Sequence, residues 1–389
     1  MQELLLATLL GVAAGVFTGL TPGVHVNLLA TLALAAGIGA GGAPFLVALA
    51  VTHSFLSTIP AILLGAPESA TALGVLPGHR YVLKGLGYMA IKLTLIGSYL
   101  GLLIALALIP VWWQAIKLYD YLVPVMGYVL LAVSAYMILR DNKRFWALTT
   151  YLLSGALGYV VLNQPITTDP LFPMLSGLFG TSTLIYSLSQ TSTLPPQRVE
   201  SAISLRAKDA TKALLAGNAS GFLTSMLPGL GAAQAAVLGM NISGKIGDHG
   251  FLIMIGTIST VNFSLSLLTW LALDKARNGA VVAITQLLAP STQAVLLLGL
   301  VALIAASLAV PLCLLLARGA VHTITRIPYT ALTTSIIGLI IGLVAVLTGI
   351  RGLAVLVVAT SIGLIPALAK CGRAHAMGCL MLPVAFYFF

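Results

Sequence analysis

Charged residues are scarce in this sequence. Asp, Glu, Lys and Arg make up 7% of the 389 residues, whereas hydrophobic residues make up 59%. A soluble domain has roughly 25% charged residues, so this chain could not cover a soluble particle with solvated groups. Lipid is therefore the predicted solvent. At about 20 residues per span, the length allows on the order of ten to twelve transmembrane helices in an all-α integral membrane protein.

Cysteine and the signatures of catalysis are also scarce. Cys313, Cys371 and Cys379 lack the paired spacing of a metal site, so they are interpreted as small hydrophobic residues. The chain has no H-E-x-x-H zinc motif, no G-x-S-x-G nucleophile motif and no Walker motif. The sequence thus predicts a protein that is not an enzyme, hydrolyses no ATP and needs no cofactor besides a coupling ion. A selectivity filter or charged ring, typical of channels, does not stand out.

Basic residues outnumber acidic ones, 19 to 9, and give a net charge of +10. They lie mostly in short connections, such as 140–144, 318–326 and 370–373. This placement is typical of a multi-pass protein of the cell membrane that follows the positive-inside rule and contacts anionic lipid headgroups. No basic stripe interleaved with aromatic residues is present, so nucleic acid is not a predicted partner.

Two segments of the chain carry the same motif. Gly15-Val-Phe-Thr-Gly-Leu-Thr-Pro22-Gly23 and Gly221-Phe-Leu-Thr-Ser-Met-Leu-Pro228-Gly229 are 206 residues apart, from Pro22 to Pro228. The same offset relates Glu68 to Asp274. We therefore predict a two-fold internal repeat, with transmembrane halves at 1–189 and 213–389. A polar connecting loop and an interfacial helix are predicted between them, at 190–212.

The Pro-Gly motifs predict broken helices. Proline removes a backbone donor and glycine loosens the helix, so polar backbone groups are freed at membrane depth. Such groups are tolerated only where protein or a water-filled cavity satisfies them. Paired half-helices would bind an anionic substrate at their N-termini, and freed carbonyl groups near Gly23 and Gly229 could hold Na⁺. The alternative interpretation is two ordinary proline kinks.

A second feature is the small-residue block Gly65-Ala-Pro67-Glu68-Ser69-Ala70-Thr71, whose amides and hydroxyls could hold a carboxylate or a phosphate. Glu68 is a candidate for proton or cation coupling, because an ionisable residue within a membrane segment is costly. It could instead pair with Arg80 or cap a helix at the membrane interface.

These motifs resemble the large permease subunit of tripartite tricarboxylate transporters, the TctA family. The resemblance is best over the first hundred residues and over 217–250. It implies an internally repeated helical fold, gradient-driven carboxylate uptake, a small membrane subunit and an extracytoplasmic binding protein as partners. The motif positions that it places near the substrate are Thr21, Pro22, Gly23, Pro67, Ser69, Ala70, Pro228, Gly229 and Gly231. The chain is shorter than the usual permease, and Glu68 stands where a small or uncharged residue is common.

Further candidates come from polar residues in apolar sequence. His25, Asn27 and Thr71 are added to the substrate site, and the coupling candidates are Glu68, His53, Arg80, Asp274 and Asn262. A histidine could donate to an anion or relay a proton near neutral pH, although a membrane histidine is more often structural. Asn262 could coordinate Na⁺ or join helices by hydrogen bonds.

The leading hypothesis is secondary active transport of a small organic anion, a di- or tricarboxylate, by symport with H⁺ or Na⁺. The alternative is a translocase for an anionic lipid such as polyprenyl phosphate, because helix termini bind phosphate as readily as carboxylate. A membrane-embedded enzyme is a lesser alternative. The coupling ion, the membrane orientation, the relative direction of the repeats and the presence of a homodimer are left open.

Overall fold

A computed structural model of the protein describes residues 2–21, 26–64, 78, 80–164, 166, 170–189, 195–199, 205–227, 232–276, 278–324 and 328–389. Within these ranges the regular elements are helices only. Those before the polar connection are α1 (Gln2–Leu20), α2 (Val26–Ala35), α3 (Ala43–Leu56), α4 (Thr58–Leu63), α5 (Gly87–Ala107), α6 (Ile109–Ile116), α7 (Tyr119–Leu122), α8 (Met126–Arg140), α9 (Arg144–Asn163), α10 (Leu171–Leu175) and α11 (Ser182–Leu188). A π-helical segment, Ser176–Thr181, joins α10 to α11.

The helices after the polar connection are α12 (Ala207–Met226), α13 (Ala232–Ser243), α14 (Gly247–Leu273), α15 (Gly279–Thr285), α16 (Thr292–Ile324), α17 (Tyr329–Ala369) and α18 (Gly378–Tyr387). Short 3₁₀ turns lie at Ala40–Gly42, Val123–Val125 and Arg373–Met377. The predicted boundary at residue 212 falls inside α12, whose first turns carry Lys208 and Lys212.

Eight helical stretches among the described residues are long and apolar enough to cross a membrane. The chain is therefore an all-α, multi-pass membrane protein, as its composition predicts. One of the eight stretches lies in α17, where Gly349 adopts φ +65° and interrupts the helix. The two parts, 329–348 and 350–369, are each about 30 Å long, enough for one crossing apiece.

Helices α1 and α3 run side by side in the same direction. Gly11 of α1 packs against Ala48 of α3. Two turns later, Gly19 packs against Leu56. The glycines let the two backbones approach closely, as small residues do in membrane helix pairs. The chain must therefore return between the end of α1 and the start of α3, and the short helix α2 lies in this connection.

Helices α12 and α14 repeat this arrangement. Gly217 of α12 packs against Thr257 of α14, and one turn later Gly221 packs against Val261. The short helix α13 lies between them in the sequence. Each half thus contains two parallel helices joined through a short one, α1–α2–α3 and α12–α13–α14.

Helix α5 packs along α14 in the same direction. Gly97 of α5 lies against Ile253, and Gly101 one turn later lies against Thr257. A β-carbon added to Gly97 would be 1.9 Å from the carbonyl oxygen of Ile253. Thr257 Oγ1 also donates a hydrogen bond of 2.9 Å to the carbonyl oxygen of Gly97. The contact therefore joins the two halves backbone to backbone.

The two helix triplets run in opposite directions. Leu63, the last residue of α4, contacts Gly87, the first residue of α5. The chain therefore leaves the α3–α4 segment at the end of the molecule where α5 begins, and α3 is antiparallel to α5. Because α5, α14 and α12 are parallel to one another, α1 is antiparallel to α12.

Each half also packs one of its helices against the other half. Helix α5 belongs to the first half but packs on α14, and α16 belongs to the second half but packs on α3. Further along, Gly158 of α9 lies against the backbone of Cys379 at the start of α18. In the same way, Gly363 of α17 lies against the backbone of Leu178 in the π-helical segment. The packed core therefore spans both halves.

Candidate functional site

The predicted site residues divide into two groups. Eleven lie outside the described residues: Pro22, Gly23, His25, Pro67, Glu68, Ser69, Ala70, Thr71, Pro228, Gly229 and Gly231. The predicted Na⁺ positions near Gly23 and Gly229 lie there too. The structure places Thr21, His53, Arg80, Asn262 and Asp274, and it places Asn27 as a residue of α2.

The helices on either side of the Pro-Gly motifs match in both halves. Helix α1 ends at Leu20 and α2 begins at Val26; α12 ends at Met226 and α13 begins at Ala232. The short helices contain 10 and 12 residues, or about 15 and 18 Å of rise. Each covers roughly half of a 30 Å hydrocarbon core. Neither short helix is therefore long enough to cross the membrane alone.

His53 is buried between α1 and α3, with 4% of its surface exposed. Its Nδ1 lies 3.0 Å from the hydroxyl oxygen of Thr18, and that hydroxyl donates to the carbonyl oxygen of Gly15 at 3.3 Å. Either group can be the donor in this contact, depending on the tautomer of the ring.

The other described candidates are not gathered around His53. Arg80 is exposed and precedes α5, whereas Asp274 follows α14. Because α5 and α14 are parallel, these two residues lie at opposite ends of the molecule. Asn262 is half-buried in α14, where its backbone carbonyl oxygen accepts a hydrogen bond from the hydroxyl of Ser266. Thr21 donates to the carbonyl oxygen of Phe17 and prolongs α1.

An open cavity of about 1030 Å³ lies where α14 ends. Its polar lining consists of Tyr119, Asp274, Lys275, Thr285 and Tyr387. Its apolar lining includes Val123, Leu162, Val282, Pro383, Val384 and Phe388. The walls come from α7, α9, the end of α14, α15 and α18, so both halves of the chain contribute. Of the predicted site residues, Asp274 is the one that lines this cavity.

Lys275 is the cationic residue of the described lining. Its ammonium nitrogen is 3.4 Å from the hydroxyl oxygen of Tyr119 and 4.9 Å from the centroid of that ring. A cation above an aromatic face is held by the ring quadrupole. The preceding Asp274 adopts φ 51° and ends α14. Its left-handed backbone turns the chain away from the helix and places Asp274 and Lys275 in the cavity wall.

Sequence reasoning missed Tyr119 and Lys275. The available signal for Lys275 was its position directly after an acidic residue at the end of the apolar helix α14. Tyr119 had no local signal, because its role depends on contact with a residue 156 positions away.

The cavity adjoins the C-terminal end of α12. Met226 and Leu227, the two residues before Pro228, belong to the same buried cluster as Tyr119 and Ala385. Three apolar residues of the cavity wall, Val123, Val384 and Phe388, pack against that cluster. A molecule in the cavity would therefore lie close to the point where α12 ends.

Comparison with known proteins matches the chain to a family model. The model of the tripartite tricarboxylate transporter TctA family matches residues 5–378. The uncharacterized protein MJ1079 of Methanocaldococcus jannaschii is 30% identical over 295 residues, which cover 72% of each chain. No solved structure matches the chain. Because the family model covers nearly its whole length, the chain belongs to the TctA family of tripartite tricarboxylate transporters.

Proposed function

We propose that the protein is a secondary active transporter of an organic anion of the carboxylate class. The observation that carries this proposal is the pair of antiparallel triplets, α1–α2–α3 and α12–α13–α14, each with a short helix after a Pro-Gly motif. In transporters, repeats of opposite direction form a site at their interface and allow access to alternate between the two membrane faces. The family is a transporter family, which agrees with this mechanism.

We further infer that the triplets are an inverted internal repeat. Gly11 and Gly217 differ by 206 residues, as Pro22 and Pro228 do. Their packing partners, Ala48 and Thr257, differ by 209, so the second triplet contains three additional residues between its parallel helices. Helix α5 follows the first triplet and packs on α14 of the second, and α16 follows the second triplet and packs on α3 of the first. This reciprocal packing is expected of a two-fold repeat.

Partner subunits follow from the tripartite family. The binding protein of such a system would deliver the anion to the outer face, and a small membrane subunit would accompany this chain. The site between the Pro-Gly motifs, with the residues that the motifs contribute, is part of the same proposal.

Transport is tested with purified protein in proteoliposomes, using labelled citrate, succinate and monocarboxylates under an inward H⁺ or Na⁺ gradient without ATP. We expect gradient-dependent uptake of a carboxylate, and Pro228→Ala is expected to lower it at least tenfold. Pro328→Ala is the matched control, because Pro328 is an exposed residue at the start of α17. Binding is measured separately as thermal stabilisation, which does not require the partner subunits. Stabilisation by a polyprenyl phosphate and by no carboxylate would instead establish lipid translocation.

Proton coupling is assigned to His53 within this proposal. His53→Gln is expected to lower uptake driven by an H⁺ gradient at least tenfold, while exchange of labelled for unlabelled substrate across the membrane continues. The physical reason is that glutamine can donate to Thr18 but cannot take up a proton. His322→Gln serves as the control, since His322 is exposed near the end of α16. Uptake that follows a Na⁺ gradient and ignores the H⁺ gradient would contradict this assignment.

A further inference from the structure

We propose that the cavity beside Tyr119 and Lys275 is an extracytoplasmic entry site that binds a carboxylate with one negative charge and an apolar body. This inference rests on the proposed carboxylate transport and narrows its substrate class. It depends on two arguments, one about the orientation of the protein in the membrane and one about the chemistry of the cavity wall.

The first argument begins with the two ends of the molecule. We call the end where α5 and α14 begin the basic end, and the end where they finish the cavity end. Arg318 of α16 donates to the hydroxyl oxygen of Tyr88 in the first turn of α5, at 3.1 Å, so α16 ends at the basic end. The backbone N–H of Arg198 donates to the carbonyl oxygen of Gly85, which places that segment there too.

The loop after α8 also lies at the basic end. The stretch that begins at Tyr119, in the cavity wall, is long enough to cross the membrane and finishes at Arg140. The next residue, Asp141, accepts hydrogen bonds from the backbone N–H of Gly372 and from His375. The α17–α18 connection is therefore at the basic end as well, and Cys371 with it.

The basic residues divide unequally between these ends. The described Lys and Arg residues of 80–86, 140–144, 195–199, 205–212 and 370–373 lie at the basic end, together with Lys245 and Arg318. Among the described residues, the cavity end has Lys117, Lys275 and Arg351. Cytoplasmic loops of membrane proteins carry the excess of Lys and Arg. The basic end is therefore cytoplasmic, and the cavity opens on the extracytoplasmic side.

The second argument concerns charge. The described lining offers one ammonium group, on Lys275, next to the carboxylate of Asp274. A tricarboxylate would bring three negative charges to this wall, where the described residues offer one cationic partner, Lys275, beside the like charge of Asp274. Unpaired charges that lose water are costly, and like-charge juxtaposition is a common means of rejecting a wrong ligand. A single carboxylate can pair with Lys275 without this cost.

The remaining wall is suited to an apolar group. Val282, Pro383 and Val384 present aliphatic surface, and Phe388 adds an aromatic ring. Small-molecule sites are usually apolar with a few polar groups that fix the orientation of the ligand. Lys275, held over the ring of Tyr119, would orient the carboxylate. The apolar body would then lie toward α18.

Orientation is tested by cysteine labelling in right-side-out membrane vesicles with an impermeant maleimide. Thr285 is an exposed residue of the cavity wall, so Thr285→Cys in a Cys371→Ser background is expected to react without permeabilisation. The partly exposed native Cys371 is expected to react only after the vesicles are permeabilised. Cys313 and Cys379 are buried and can remain. The reverse labelling pattern would overturn the orientation and the entry site with it.

Ligand class is tested on the same Thr285→Cys protein, with phenylacetate, hexanoate, succinate and citrate as protecting ligands. We expect the two monocarboxylates to slow labelling at least fivefold and citrate to have no effect. Lys275→Gln is expected to abolish the protection, whereas Lys117→Gln, at the same end of the molecule, is expected to retain it. Protection by citrate at equal or lower concentration would overturn the inferred class and leave carboxylate transport standing. If no carboxylate protects the cysteine or stabilises the protein thermally, carboxylate transport fails as well.

Discussion

Replacing Gly97 with valine is expected to prevent the protein from forming a stable, monodisperse particle in detergent. A β-carbon at this position would be 1.9 Å from the carbonyl oxygen of Ile253, which is backbone and cannot rotate away. Helices α5 and α14 would have to separate by roughly 1.5 Å to reach normal contact, and the surrounding packing would be lost. Overpacking usually costs about 1–3 kcal/mol, and we expect a value at or above the top of this range.

The measurement is size-exclusion chromatography with a thermal melt of each purified variant. Gly338→Val is the matched control, because Gly338 is a helical glycine with open space where its β-carbon would lie. The control is expected to elute and melt like the parent protein. A normal melting temperature for Gly97→Val would show that α5 and α14 are not in backbone contact, and the parallel direction of these helices would lose its support.

Replacing Asp141 with alanine is expected to lower the free energy of unfolding by about 1–3 kcal/mol, the cost of leaving buried hydrogen-bond donors without a partner. The side chain of Asp141 is 12% exposed and that of His375 is 4% exposed. One carboxylate oxygen accepts from the N–H of Lys143 at 2.7 Å; the other accepts from the N–H of Gly372 at 2.8 Å and from His375 Nε2 at 2.9 Å. Removal of the carboxylate would leave these donors unpaired.

The same contacts predict a dependence of stability on pH. Burial alone would raise the pKa of Asp141, but hydrogen bonds from Lys143, Gly372 and His375 outweigh it and hold the pKa below its usual 3.8. Because the pKa is lower in the folded than in the unfolded state, the ionised carboxylate stabilises the fold above pH 3.8. This contribution is lost as the pH falls from 3.8 through the lowered pKa.

The check is a series of thermal melts between pH 7 and pH 3 for the parent protein, Asp141→Ala and Asp120→Ala. Asp120 is an exposed residue of α7, so its substitution is expected to change neither the melting temperature at neutral pH nor the acid slope. Equal acid slopes for the parent protein and Asp141→Ala would contradict a lowered pKa at Asp141.

Composition and the presence of long apolar runs are enough to predict the fold class of this protein. A membrane segment needs only a long apolar run, and such runs are visible in the sequence. The apolar runs 26–36 and 280–288 are too short to cross a membrane alone, and the structure has short helices there, Val26–Ala35 and Gly279–Thr285. The offset between the Pro-Gly motifs agrees with the helix ends on either side of them.

The sequence could not predict the relative direction of the repeats or the contacts between residues that are distant in the chain. The relative direction of the repeats depends on how many segments cross the membrane. That number is obscured by the charged first turns of α12 and by the interruption at Gly349. The cavity was missed for a related reason, since Tyr119 and Lys275 meet only when α7 packs beside the end of α14. A local motif carries no information about such a contact.

The exchange of packing partners has a consequence for how the protein is made. Helix α5 presents Gly97 and Gly101 to α14, yet α14 is synthesised more than a hundred residues later. At roughly 5–20 residues per second, α5 would wait on the order of ten seconds before its partner leaves the ribosome. During that interval its glycine face is exposed to lipid or to another chain. The nascent first half is therefore the stage at which a chaperone or a second nascent copy could capture the protein.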